Sequence, residues 1–402
     1  MKKIAVLIVL APAAGIAVGL RAVTVPGTAD IDTLLRTAVE QKRVPMVVAM
    51  VADRQGILYE HATGAPKDAI FAIASMTKPV TSVAVMQLVE SGRVKLDERA
   101  STYLPELGDV RVLDGGAQRP PKRPITVRHL LTHTAGFGYE FMSRELSELV
   151  AKKAIPSAMA GGDAFLKAPL LFDPGTRWQY GINTDWLGRL VERVSGQSLE
   201  VYFRERIFQP LGMTDSFFVV PADKRSRLVP QFQRTEDGSL GPRPPQRDEG
   251  FFSGGGGLFS TAPDYMKFVR ALMAGGELDH ARVLSAESVE AMGKNQIGDL
   301  TVGRLPSLMP QLIVDGAVLP GALDKFGLGF ALNSRAVGST RGANTMSWAG
   351  VFNTFFWIDR EKQVTAVLMT QMLPFLEPGP SKLLEDFDRT VYAWKMDSAR
   401  AQ

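Results

Sequence analysis

The 402-residue chain contains no cysteine. That excludes a thiol nucleophile, a disulfide framework and any Cys-ligated zinc or iron–sulfur site, and it leaves the compartment open. No Gly-x-Ser-x-Gly elbow occurs, which disfavours a conventional Ser-His-Asp hydrolase. The run Gly254 to Gly257 is not followed by Gly-Lys-Ser/Thr, so it is no phosphate loop. There is no run of basic residues interleaved with aromatics, and the formal charge of +4 is no nucleic-acid footprint. Internal repeats are absent as well.

What is present reads as an ordinary globular protein, with 45% hydrophobic and 22% charged residues. The length suits one large domain or two intimately packed ones. Lys2 and Lys3 precede an apolar stretch from Ile4 to Leu20, with a small-residue end near Ala17-Val18-Gly19 or Ala22. This is the order of a secretory signal, expected over residues 1–22 and directing the chain to the periplasm or beyond the cell. An uncleaved membrane anchor is the alternative, since the run is close to the minimum that spans a bilayer; membrane contact is expected nowhere else.

The chain is organised around Phe71-Ala72-Ile73-Ala74-Ser75-Met76-Thr77-Lys78, where an apolar run stops at a serine and a helical pattern begins. A helix starting at about Ser75 puts Ser75 and Lys78 on one face, an amine beside a hydroxyl. The same start leaves unpaired N–H groups and the positive end of the helix dipole near the serine. Ser-x-x-Lys alone also fits a serine cap with a solvated lysine, so the rest of the chain must decide. Pro79 is tolerable only in a first helical turn, and Gly92 is placed to end the helix.

Before it, Ile31 to Lys42 has helical spacing, and Val47–Ala52 and Ile57–Tyr59 read as two strands joined by a Gly-containing turn. After it, Arg111 to Pro124 is a Gly/Pro-rich connection, and helical patterns dominate to about Ser195. Residues Ile125 to Ala135 read as a Thr-capped helix stopped by Gly136. His129 and His133 lie four apart on it, but without an intervening carboxylate or third ligand they read as structural, not metal-binding. A Pro174-Gly175 turn puts Tyr180 on a loop or at a helix entrance, where a phenol beside a Ser-Lys pair can hold the serine's proton. Residues Asp237 to Gly257 have the composition of a long functional loop, its glycines turning beside a cleft. A helix from Ala262 to Met273 precedes a Gly/Pro-broken stretch through Gly321. Strands follow at Met346 to Gly350, Phe355 to Asp359 and Val364 to Thr370, with a closing helix from Leu383 to Trp394. The expected fold is α/β (α+β): an antiparallel sheet flanked by helices, built from residues 24–110 and 235–402, with a mainly helical domain inserted at 111–234.

The order Ser75-Met76-Thr77-Lys78, Leu130 to Gly136, Pro174 to Tyr180, Gly254 to Thr261, then Trp348-Ala349-Gly350 resembles the serine β-lactamase/penicillin-binding-protein superfamily. Within it the chain is most similar to the family VIII carboxylesterases, the esterase branch of the class C β-lactamase fold. The resemblance covers nearly everything after about residue 30. It implies an acyl-enzyme on Ser75, with Lys78 and Tyr180 as a coupled base, and an oxyanion hole from the N–H groups of Ser75 and Val351. It implies no cofactor and no metal.

Departures from the lactamase pattern shift the expected substrate. Tyr180-Gly181-Ile182 stands where class C enzymes have Tyr-x-Asn, with Asn183 one position late, and Trp348-Ala349-Gly350 replaces Lys-Thr-Gly. The groups that bind a β-lactam carboxylate are missing there, and an aromatic strand edge of Trp348, Ala349 and Gly350 suits an uncharged acyl or alcohol group. The expectation is an exported serine carboxylesterase acting on a small-molecule ester. The alternatives are a β-lactamase, a D-alanyl-D-alanine carboxypeptidase, an acyl-transferase, or a catalytically silent binding protein of the same fold.

Overall fold

The computed structural model describes residues 27–244, 250–317 and 323–400, so the segment 1–22 read as an export signal lies outside them. The elements used below are helices Ala29–Glu40 (α1), Thr77–Glu90 (α2), Val127–Leu131 (α3), Asn183–Ser195 (α4), Ala262–Met273 (α5) and Pro378–Arg400 (α6). The strands are Val47–Ala52 (β1), Ile57–Thr63 (β2), Gln231–Arg234 (β3), Leu240–Arg243 (β4), Leu323–Phe326 (β5), Ala331–Asn333 (β6), Met346–Gly350 (β7), Thr354–Asp359 (β8), Val364–Met369 (β9) and Met372–Leu373 (β10).

Seven strands from both ends of the chain form one sheet, in the order β5-β6-β7-β8-β9-β1-β2, with every neighbouring pair antiparallel. The central strands β1, β8 and β9 are buried along their whole length. A strand that is apolar at successive positions must be covered on both faces. β8 shows how: Phe356 meets Tyr265 of α5 at 5.3 Å between ring centroids, and the next residue, Trp357, meets Phe387 of α6 at 5.8 Å. Successive side chains of a strand point to opposite faces, so α5 and α6 sandwich the sheet. Edge strand β2 is largely half-exposed and carries Glu60, which blunts edge-to-edge pairing.

The α5 face carries the site. Trp348 on β7 pairs in register with Phe356 and therefore shares its side of the sheet. On that side α2 packs chiefly against α4. Helix α2 is buried nearly all round, and each fully enclosed valine, such as Val80 and Val83, contributes roughly 1.5–3 kcal/mol. Its buried hydroxyls are satisfied, Thr81 donating to the Gly254 carbonyl at 2.7 Å and Ser82 to the Lys78 carbonyl at 2.9 Å.

Several boundaries differ from the sequence expectation. The helix expected from Ile125 to Ala135 is the five-residue α3, because His133 takes a left-handed backbone (φ 55°) that no α-helix accommodates. The stretch before Gly321 contains a helix at Ala286–Met292. Strands β5 and β6 follow it, unmarked by a long apolar run. The region 111–234 has helices as its longest elements, joined by extended connections; it opens with a short hairpin at Val112–Asp114 and Ala117–Arg119, and its last strand, β3, lies between β10 and β4.

Candidate active site

The nucleophile sits on a tight turn. The two-residue strands Phe71–Ala72 and Phe259–Ser260 pair, and the chain then folds so that the Met76 N–H donates to the Ile73 carbonyl at 3.0 Å. Ala74 at the turn has φ 43°, a left-handed conformation that costs an L-residue roughly 1–2 kcal/mol. A 3-10 turn over Ala74–Met76 precedes α2, so the regular helix begins two residues later than expected while the Ser75-to-Lys78 spacing is kept. Tyr265 pins the turn by donating to the Met76 carbonyl at 2.9 Å. Ser75 is half-buried, whereas Met76, Thr77 and Lys78 are buried.

Lys78 is 2% exposed, and Nζ reaches three acceptors: the Gly255 carbonyl at 2.6 Å, Tyr139 Oη at 3.2 Å and Ser75 Oγ at 3.3 Å. An ammonium has three hydrogens to donate, and one buried this deeply needs that many partners. Tyr180 Oη lies 2.7 Å from Ser75 Oγ, and Nζ also stands 4.7 Å from the Tyr180 ring centroid. The three residues singled out in the sequence thus converge on one oxygen.

Two further groups complete the cluster. Asp185, 2% exposed on the first turn of α4, accepts from Ser253 Oγ at 2.6 Å and from the Gly255 N–H at 3.0 Å. Burial holds its carboxyl above the usual range, against the pull of Lys78 and of these hydrogen bonds. Gly255 therefore faces the Asp185 carboxyl through its N–H and Lys78 through its C=O. A Cβ on Gly255 would lie 2.4 Å from Asp185 Oδ2, which restricts the position to glycine. The Tyr139 phenol is held well above its ordinary range, by burial first and then by Tyr180, Asp185 and Glu140. Sequence reasoning missed both: Asp185 reads as an ordinary acidic residue in a helix's first turn, and Tyr139 as a lone aromatic in a loop.

Strand β7 forms the opposite wall. A Cβ on Gly350 would stand 2.3 Å from the Ile73 carbonyl oxygen, so glycine lets the strand approach the nucleophile turn. Trp348, Ala349 and Val351 line the cavity that also contains Ser75 and Tyr180, while Gly350 lies behind it. The Trp348 ring backs Tyr180 at 5.1 Å and stacks on His133 at 6.5 Å.

His129 and His133 do not meet at a metal. His129 forms a capping box with Thr126 at the start of α3. His133 Nδ1 is 2.9 Å from Asn183 Nδ2, so the amide that arrives one position late in the tyrosine motif turns to the histidine and not to the serine. Burial, then the Lys78 charge, pushes His133 well below its ordinary range. It is a neutral packing residue.

The cavity measures about 550 Å³. Phe141, Met142, Phe165, Phe218, Phe251 and Phe352 make much of its wall, with Asp185 and Arg243 as the charged residues on it. An apolar chamber with a few converging polar groups is the usual form of a small-molecule site.

Comparison with known proteins identifies the family and the fold. The family model described as Beta-lactamase matches residues 31–388. The lovastatin esterase of Penicillium rubens is 32% identical over 91% of this chain and 99% of its own length. The monacolin J acid methylbutanoyltransferase of Aspergillus terreus is 30% identical over 90% of this chain and 95% of its own. The solved structure of unliganded simvastatin synthase (LovD) from Aspergillus terreus superposes with a TM-score of 0.80 at 30% identity, covering 92% of this chain and 98% of that one. With the sheet, the serine-bearing helix and the relatives in agreement, the chain belongs to the beta-lactamase family, among its serine hydrolases and acyltransferases.

Proposed function

We propose that the protein is a serine carboxylesterase that works through an acyl-enzyme on Ser75. The observation that carries this reading is the convergence of Lys78 Nζ and Tyr180 Oη on Ser75 Oγ, at 3.3 and 2.7 Å, at the edge of an apolar cavity. The Ser75 oxygen attacks the ester carbonyl while its proton passes to the Lys78/Tyr180 pair. The tetrahedral oxyanion is received by the N–H groups of Ser75 and Val351, two residues that line the same cavity. Collapse expels the alcohol, which takes the proton from the pair. Water, or a second alcohol, then enters along the same path and releases the acyl group. Trp348 occupies the strand position where a lactamase has lysine, and a neutral aromatic there favours an ester over a β-lactam.

Acyl transfer to an alcohol is the second reading, favoured by the methylbutanoyltransferase among the relatives and by the space beside Ser75. The N-terminal basic and apolar segment supports export as the setting of either reaction. The test is hydrolysis of p-nitrophenyl esters of increasing acyl length and labelling by a fluorophosphonate, beside Ser75→Ala. Equal labelling or turnover by wild type and variant would remove Ser75 as nucleophile. Turnover of a chromogenic cephalosporin as fast as the best ester would overturn the ester preference, and product partition with added alcohol separates transfer from hydrolysis.

A further inference from the structure

The cavity wall also carries a polar pair that the ester chemistry does not use. Gln231 on β3 and Arg243 on β4 are directly opposed in the antiparallel register, so their side chains share one face, and both line the cavity that holds Ser75. Gln231 is 7% exposed, and its Oε1 has no hydrogen-bond partner. A buried amide oxygen left unpaired is costly and rare in a folded protein.

Arg243 is half-buried and forms no ion pair or hydrogen bond through its guanidinium among the described residues. Burial is the one influence on it, and it lowers the group's basicity. Other arginines of the chain behave differently: Arg119 holds Asp173, Arg128 holds Asp97 and Arg227 holds Asp215. A planar guanidinium facing an apolar chamber without its usual partner is built to receive a planar anion in two parallel hydrogen bonds. The neighbouring Gln231 amide, which can present either its N–H or its C=O by turning over, adds a contact to the same group.

We propose that Gln231 and Arg243 form an anchoring subsite for a carboxylate that the substrate carries at the far end of an apolar chain from its scissile ester. The phenylalanines that line the same cavity would house the chain, and the subsite would set which end of the molecule reaches the nucleophile. This rests on the esterase reading above and names its substrate class: esters of amphipathic acids that keep one free carboxylate.

The experiment compares p-nitrophenyl hemiesters of dicarboxylic acids of increasing chain length with the same compounds capped as methyl esters at the far carboxyl, using wild type, Arg243→Gln and Arg243→Lys. At the best length, wild type is expected to prefer the free acid over the capped ester by about ten- to a hundredfold in kcat/KM, chiefly through KM, the range of a charge-assisted hydrogen bond. That ratio should collapse in Arg243→Gln and be partly restored in Arg243→Lys. A wild-type ratio near one at every length, or an unchanged ratio in Arg243→Gln, overturns the subsite. Calorimetric titration of Ser75→Ala protein with the hemiadipate of a stable alcohol and with its methyl-capped form reads the same preference without turnover. If neither ester is hydrolysed by wild type but the titration keeps the preference, the esterase reading has failed and the subsite stands; loss of both removes both.

Discussion

Tyr180 Oη stands 2.7 Å from Ser75 Oγ, closer than Lys78 Nζ at 3.3 Å, although the tyrosine lies 105 residues away along the chain. The phenol, which donates to Ser75 Oγ in this arrangement, is thus the nearer of the two polar groups to the nucleophile oxygen. Lys78 divides its three hydrogens among Ser75, Tyr139 and Gly255, which suits it to fix charge near both hydroxyls.

Substitution of Tyr180 by Phe keeps the ring against Trp348 and His133 and removes only the oxygen. Turnover of the best p-nitrophenyl ester should fall by about 10²–10⁴-fold, the usual contribution of a positioned acid–base group. Lys78→Met should do comparable damage. A Tyr180→Phe enzyme within about threefold of wild type would exclude the phenol from proton transfer.

The carboxylate of Asp185 supplies negative charge beside the Ser75–Lys78–Tyr180 cluster. In Asp185→Asn that charge is gone while an oxygen remains for Ser253 and the Gly255 N–H, so release of a proton from the cluster becomes easier. The acid limb of the pH profile of kcat/KM should move to lower pH. A merely structural role predicts a lower plateau with the limb in place, and that outcome would count against the electrostatic one.

Stability should depend on the buried His133 and the half-buried His129. His133 is pushed well below 6.5 and His129 down to about 4, in both cases mainly by burial. Below pH 6.5 the unfolded chain therefore binds protons that the folded chain refuses, so stability falls as pH drops toward about 4. Each such proton contributes a slope of up to about 1.4 kcal/mol per pH unit. The raised carboxyl of Asp185 works in the opposite direction, since its protonation favours the folded state as pH falls. Urea melts between pH 7 and 5 measure the balance, which the two histidines should dominate in that window. A midpoint that rises on acidification would contradict this.

Gly350 decides how closely β7 approaches the nucleophile turn. In Gly350→Ala the new methyl meets the Ile73 carbonyl and Thr354 Oγ1, each at 2.3 Å. The strand must move outward at a cost of about 1–3 kcal/mol, carrying Val351 away from Ser75. Esterase activity should drop by more than about tenfold, beyond what the shift in thermal midpoint explains. Retention of full activity would mean that Val351 has no part in oxyanion binding.

The sequence by itself determined the local chemistry. Lys78 follows Ser75 by three residues, and one turn of helix keeps them together whatever surrounds it. The strands read at Val47–Ala52, Met346–Gly350, Phe355–Asp359 and Val364–Thr370 were legible because a strand buried on both faces is largely apolar. The helix Ala262–Met273 was legible to its end residues, and in the fold Thr261 caps it by accepting from the Asp264 N–H. Strands Leu323–Phe326 and Ala331–Asn333 are too short to carry such a pattern, and the left-handed turn at His133 is set by what packs around it, so neither was visible.

Only the tertiary structure decided what the serine faces. Tyr139 and Gly255 reach Lys78, and Asp185 reaches Gly255, from three separate segments, and no spacing rule relates residues brought together by packing. The same holds for Gln231 and Arg243, which become one polar patch because two strands share a register. A hydrogen bond reports on a few ångströms of space, whereas sequence periodicity reports only on neighbours along the chain. The nucleophile and its lysine could therefore be read from one stretch, while the charge around them and the far wall of the cavity required the fold.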